Sequence, residues 1–288
     1  MNQNQSSNLS QYFMHIRQLL ASAYDWNEAR ALALILFEHY INVDAKKLIT
    51  GQNNEINDAR RSEIYSAVQR LLVHEPVQHI TGNSLFSGSR FFVNRNVLIP
   101  RPETEELVDW VKADYSETQP CRIADIGTGS GCIAISLSLV FRQAKVDGFD
   151  VSPEAITIAD KNNQLLGANA SFYICDIFNP ENWPSEYYDV IVSNPPYIPE
   201  SEKPDLPLNV NLFEPPLALF VPDSDPLVFY RAITRFASHR MPYNGRIYLE
   251  VHRTFAEDVA DLFRQSGFGN VIVKTDLNNR KRMVKAER

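Results

Sequence analysis

The sequence predicts an α/β fold: a doubly wound, mostly parallel sheet preceded by a small helical bundle. Three observations carry this. From Arg122 onward, short apolar β-branched runs alternate with helix-period segments, the pattern of parallel strands joined by crossover helices. Residues 9 to about 80 hold only helical stripes. Between these regions, aromatic runs alternate with glycine and asparagine breakers, which suggests a hairpin.

In the first region, Leu9, Tyr12, Phe13, Ile16, Leu19, Leu20 and Ala23 share one helical face. Ala29, Leu32, Ala33, Leu36, Phe37 and Tyr40 form a second stripe, and Ile64, Val68, Leu71 and Leu72 a third. Asn42 to Asp44 and Gly51 to Asn54 break the helices. Such aromatic stripes are core, and nothing in the bundle looks catalytic. The hairpin is expected around Phe86, Phe91–Val93 and Val97–Ile99. Pro100 and Pro102 then impose an extended approach, and Thr104 or Glu103 is expected to cap a helix through Leu107, Val108 and Val111.

The strands of the sheet are expected at Arg122–Ile126, Lys145–Phe149, Ser171–Cys175 and Tyr188–Ser193, then at Arg246–Glu250, Val271–Lys274 and Arg282–Ala286. Helices are expected at Cys132–Phe141, Pro153–Leu166, Asp225–Arg240 and Phe255–Gln265.

Composition excludes some functions. A chain of 288 residues, 44% hydrophobic and 22% charged, suits a soluble protein of one large or two ordinary domains. A net charge of -7 and a pI near 5.4 argue against a surface that grips nucleic-acid phosphates. Cys121, Cys132 and Cys175 have no metal or disulfide spacing, so no metal is expected and all three read as buried free thiols in a reducing compartment. Residues 1–8 are polar, unlike a secretory signal, and no run is long enough to span a membrane. The expected location is the cytoplasm.

The chemistry concentrates at four strand ends, where open α/β sheets bind ligands. The first strand runs into Gly127-Thr128-Gly129-Ser130-Gly131. Glycines there let a ligand approach the backbone. A dinucleotide site would want glycine at position 132, which is Cys, so this is not the pyrophosphate fingerprint. The second strand ends at Asp150, 19 residues beyond Gly131, where an acid suits the two hydroxyls of a ribose. Helix capping there belongs to Ser152-Pro153-Glu154. The third strand ends at Asp176, with Ile177 and Phe178 beside it; Asp176 could accept from an adenine amino group. The fourth ends in Ser193-Asn194-Pro195-Pro196-Tyr197, an amide side chain held on a stiff double-proline backbone. Asn194 can both accept from and donate to another amide or an amino group. The order suits a nucleoside cofactor lying across the strand ends with its reactive end at Asn194.

At these residues the chain resembles the S-adenosylmethionine-dependent glutamine methyltransferases that act on peptide-chain release factors. The resemblance covers nearly the whole chain: Pro76–Gly82, Phe91–Val93, Val97–Glu105, the glycine loop, Asp150, Asn194–Tyr197, Phe213–Leu219 and Asp276–Arg282. Asn-Pro-Pro-Tyr alone is shared with methyltransferases of adenine or cytosine amino groups; Pro100–Glu105 is far more particular to this family. The chain departs from the family pattern at Val221–Pro226 and Val251-His252.

The resemblance implies a Rossmann-like seven-stranded methyltransferase domain at 106–288, a helical substrate-docking domain at 1–80 and a β-hairpin linker at 81–105. It implies S-adenosylmethionine bound by Gly127, Thr128, Gly129, Ser130, Gly131, Asp150, Asp176, Ile177 and Asn194. The substrate would meet Asn194, Pro195, Pro196 and Tyr197, of which Asn194, Pro195 and Tyr197 are the catalytic set. The Asn194 oxygen and the Pro195 carbonyl would accept the two hydrogens of a glutamine amide, with Tyr197 packed against it. By the same resemblance the substrate would be the glutamine of a Gly-Gly-Gln loop in a release factor, and the enzyme a monomer that touches neither nucleic acid nor membrane. Two other readings share part of the pattern: a nucleic-acid amino methyltransferase, which would need a basic, aromatic-lined face, and a non-enzymatic nucleoside-binding module, which would not need Asn194.

Overall fold

The computed structural model describes residues 9–50, 56–115 and 121–288. The polar 1–8 stretch and the Gly51–Asn54 breaker lie outside the described residues. The chain forms two compact units, one of residues 1–82 with 208–213, the other of 83–207 with 214–288.

The first unit is helical: α1 (Leu9–Leu20), α2 (Trp26–Ile41), α3 (Ala45–Thr50), α4 (Asp58–Leu72) and α5 (Val77–Thr81). Asp25 starts α2 by accepting from the Asn27 and Glu28 amides at 2.8 and 3.0 Å. Asn42 ends it in the left-handed region, φ 55°. Ile16, Leu20, Leu36, Phe37, Ile64 and Val68 are fully buried in one core, so the three stripes converge as expected. Ala23 does not join them. The first helix stops at Leu20, and Ala23 lies exposed in the turn beyond it.

The second unit opens with a hairpin, β1 (Asn83–Phe86) and β2 (Ser89–Phe92). Its turn is Ser87-Gly88, both at positive φ, the form that matches strand twist. Phe86, Phe91 and Phe92 fall in the hairpin as expected, but it ends at Phe92, sooner than expected. Val93, Val97 and Ile99 are buried in an irregular segment instead, where Val93 and Val97 pack on Ala155 and Ile158. Next comes α6 (Pro102–Asp114). Neither Thr104 nor Glu103 caps it. Pro102 occupies the first turn, Arg101 is the cap position without a side-chain bond, and Thr104 lies inside the helix.

The remaining elements are β3 (Arg122–Ile126), α7 (Cys132–Val140), β4 (Lys145–Asp150), α8 (Pro153–Leu166), β5 (Ala170–Ile174), β6 (Val190–Ser193), β7 (Ile198–Pro199), α9 (Leu208–Phe213), β8 (Phe220–Val221), α10 (Val228–Arg240), β9 (Arg246–Glu250), α11 (Ala256–Gln265), β10 (Gly269–Thr275) and β11 (Lys281–Glu287). All seven expected sheet strands form, in the order β10-β11-β9-β6-β3-β4-β5. The five from β9 to β5 are parallel; β11 runs antiparallel to β9 and β10. Alternate strand residues serve opposite faces: Ala124, Ile191 and Leu249 join a core with α10 and α11, while Ile123, Val192 and Tyr248 join one with α6 and α7. The short β7–β8 pair and α9 carry no periodic signal and were not expected. From β3 the chain winds outward through β4 and β5, then returns to β6 on the other side of β3. That reversal opens a crevice at the strand ends.

Candidate active site

The crevice holds a cavity of about 360 Å³, lined by residues of all four predicted strand ends. Gly127, Gly129 and Gly131 have φ of 72°, 54° and 80°, conformations that side chains rarely adopt. The loop is tied down by its own amides. Gly127 and Thr128 donate to the Phe149 carbonyl at 2.8 and 2.9 Å, and Gly131 to the Thr128 carbonyl at 2.8 Å. Gly129 donates to Asp150 Oδ2 at 2.9 Å. A phosphate-binding loop turns such amides toward its ligand, and this loop spends these four within the protein. Gly131 does not line the cavity; it packs beside Ile135, Ala159 and Phe172.

Asp125 holds the loop from below. Its Oδ2 accepts from Thr128 Oγ1 at 2.7 Å and from the Ala134 amide at 3.1 Å. Complete burial pushes its carboxyl up to about 7, against the lowering effect of those two bonds. No motif singles it out; in the chain it is a strand residue two places before Gly127. Asp150 faces the cavity, its Oδ1 accepting from the Ser152 amide at 3.0 Å. Burial raises its carboxyl above the usual range despite the backbone donors. Each oxygen keeps a lone pair for a further donor. Ser152 caps α8, accepting from Ala155 at 3.1 Å, as expected. Asp176, Ile177 and Phe178 line the same cavity, and Asp176 Oδ1 accepts from the Phe178 amide at 2.9 Å. Cys132 is buried as expected, Cys175 likewise, but Cys121 is only half-buried.

Asn194, Pro195 and Pro196 line the other side. Ser193 anchors them, donating from Oγ to the Ile126 carbonyl at 2.6 Å and so tying β6 to β3. Asn194 Nδ2 donates to Thr104 Oγ1 at 3.0 Å. Thr104 donates to Glu250 Oε2 at 2.7 Å. Tyr197 does not line the cavity. Its ring packs against the core, and its hydroxyl donates to Glu250 Oε1 at 3.0 Å. Burial first, and the Glu250 charge second, push that hydroxyl well up. Arg101 and Glu214 close this side: Arg101 meets Glu214 Oε1 at 2.5 Å, and the Ile99 amide donates to Oε2 at 3.1 Å. Glu250 and Glu214 escaped the sequence reading as functional residues. The only available signals were an acid ending an apolar strand and an acid inside Phe213–Leu219.

Among the described residues no group of three or more His, Cys, Asp or Glu could hold a metal ion, and no helix is long and apolar enough to cross a membrane.

This fold and site define a methyltransferase. A family model described as "Methyltransferase domain" matches residues 117–259, and one described as "PrmC N-terminal domain" matches 11–82. The sheet is similar to that of a methyltransferase from Pyrococcus furiosus, with a TM-score of 0.52 at 13% identity, over 80% of this chain and 98% of that one. A release factor glutamine methyltransferase of Bacteroides thetaiotaomicron is 39% identical over 95% of this chain and 98% of its own length. One from Flavobacterium psychrophilum is 36% identical over 96% and 98%. The chain belongs to the release factor glutamine methyltransferase family.

Proposed function

We propose that this chain transfers a methyl group from S-adenosylmethionine to the side-chain nitrogen of the glutamine in a release factor's Gly-Gly-Gln loop. The observation that carries the reading is one cavity joining the glycine loop and Asp150 to Asn194-Pro195. A volume of about 360 Å³ is within the range of small-molecule sites. The loop suits a nucleoside without phosphates, because four of its amides are already committed. Asp150 offers lone pairs to the ribose hydroxyls, Asp176 to the adenine amino group, and Ile177 and Phe178 supply apolar walls. When bound, S-adenosylmethionine supplies an electrophilic methyl on a cationic sulfur, which the surrounding carboxylates favour.

An amide nitrogen is a weak nucleophile because its lone pair is delocalised into the carbonyl. Asn194 Oδ1 and the Pro195 carbonyl accept its two hydrogens and aim that lone pair at the methyl. Alignment of this kind is worth about 7–11 kcal/mol in model reactions. Once methylated, the nitrogen would carry one proton too many, and Asn194 Oδ1 and the Pro195 carbonyl, both acceptors, would hold that proton until solvent takes it. Pro196 stiffens the turn, and Tyr197 supports it from behind. We take the enzyme to work as a monomer in the cytoplasm, a reducing compartment that suits its free thiols. The helical unit gives the intact factor a second contact, which makes it a better substrate than the loop peptide.

Radiolabelled methyl transfer to intact factor, loop peptide and duplex DNA, side by side, tests this. Strong labelling of the factor, weak labelling of peptide and none of DNA is expected. Label in DNA with none in the factor would favour the amino methyltransferase of nucleic acids.

A further inference from the structure

Behind Asn194 the hydrogen bonds run in one direction. Glu250 ends β9 and is 1% exposed. It accepts from Thr104 at one oxygen and from Tyr197 at the other. Burial raises the Glu250 carboxyl, while its bonds from Thr104 and Tyr197 favour the ionised form; that form can only accept, so Thr104 commits its single proton to Glu250. What Thr104 then turns toward Asn194 is a lone pair, and only the amide NH₂ can satisfy it. An Asn194 flipped the other way would set its oxygen against that lone pair. Thr104 itself is 2% exposed in the first turn of α6, where its hydroxyl reaches a partner 146 residues away rather than a local backbone group.

We propose that Thr104 and Glu250 are positioning residues that fix which way the Asn194 carboxamide faces, so that its oxygen, not its NH₂, meets the acceptor. This rests on the reading of Asn194 as the acceptor-binding group. The acceptor amide arrives with two N–H donors. An inverted Asn194 would meet them with donors of its own and misplace the nitrogen. Glu250 is what removes the choice, since a neutral hydroxyl by itself could either donate to Asn194 or accept from it. Tyr197 serves the same carboxylate: its bond holds the second oxygen, and so the plane, of Glu250.

The test uses the full chain and three variants, Thr104→Val, Thr104→Ser and Glu250→Gln. The first reading is the side-chain ¹⁵N–¹H₂ resonance of Asn194 in asparagine-labelled protein, identified by its loss in Asn194→Ala. In the wild type one of its two protons should be shifted downfield and exchange slowly. Thr104→Val should abolish both features, and Thr104→Ser should keep them. The second reading is kcat and KM on an intact release factor. A misplaced reacting group can cost about 100-fold, so Thr104→Val should lose about that much in kcat while KM for the factor moves little. Thr104→Ser should recover most of it. Glu250→Gln should also lose kcat, because glutamine can donate to Thr104 and free its proton to face Asn194. A merely structural Thr104 would not link the resonance, the kcat loss and the serine rescue. Wild-type kcat in a folded Thr104→Val overturns the proposal, as does an Asn194 amide with no bonded proton in the wild type. The resonance needs no methyl acceptor. A wild-type chain that leaves the factor unmethylated would therefore sink the proposed function, while the orientation is still decided by the amide signal.

Discussion

On the glycine-loop side of the cavity, neighbours in sequence hold one another. Asp125 binds Thr128 and Ala134, Gly131 binds Thr128, Asp150 binds Gly129 across 21 residues, and Asn162 binds Ser130 across 32. On the Asn194 side the partners come from afar: Thr104 lies 90 residues from Asn194 and 146 from Glu250, and Ile99 lies 115 from Glu214. The first side is a preformed cradle that one strand–loop–helix unit and its neighbour strand can build. The second exists only once α6, β6 and β9 have come together in the folded unit. Cofactor binding and acceptor alignment should therefore be separable by mutation.

The largest expected effect breaks the Asn194 side alone. Asn194→Ala should lower turnover by orders of magnitude in a folded protein, while S-adenosylmethionine binding, read by calorimetry, weakens far less. Near wild-type methylation by that variant would remove Asn194 from the chemistry. Next in size is Asp150→Ala, which breaks the other side. It leaves the Gly129 and Ser152 amides without their acceptor and removes the ribose partner, so cofactor affinity should fall by about 1–3 kcal/mol. Unchanged affinity by calorimetry would contradict the ribose assignment.

The same contrast explains what could be read from the chain. The glycine loop, Asp150, Asp176 and the Asn-Pro-Pro-Tyr turn were legible because each is a short pattern at a strand end. β3, β6 and β9 were legible because a strand buried on both faces leaves a near-continuous apolar run; the more exposed β5 and β10 were legible from their β-branched and aromatic residues. Thr104 could be seen only as a cap, because a sequence window shows local bonding and its actual partner is on another strand. Tyr197 sits two residues past Pro195, yet its hydroxyl reaches away from the cavity to Glu250. Its direction is set by packing, which spacing does not reveal. The expected hairpin ran on past Phe92 because Val93, Val97 and Ile99 have strand-like composition but bury themselves against α8 and the Glu214 loop without pairing.

Two smaller effects sharpen the account of the cradle. Gly148 lies on β4 beneath the loop, where a Cβ would come within 2.5 Å of Phe172 and 2.8 Å of Thr128 Oγ1. Gly148→Ala should cost about 1–3 kcal/mol of stability by overpacking, read as a lowered Tm. An unshifted Tm would show that the loop yields easily. The subtlest effect is a slope. Burial lifts Asp125 to about 7, well above the ordinary carboxylate range, so the folded chain holds this proton more tightly than the unfolded one. Its contribution to stability is complete below about pH 4 and is lost as pH rises through about 7. Melting temperatures of the apoprotein across that window should fall less steeply in Asp125→Asn. An identical slope in both proteins would contradict the assignment.

The most direct test of the whole account is peptide mass spectrometry of a purified release factor incubated with this chain and S-adenosylmethionine. One added methyl on the side-chain nitrogen of the Gly-Gly-Gln glutamine, absent when either component is omitted, is the predicted result. A methyl on any other residue, or a factor that stays unmodified, would contradict it.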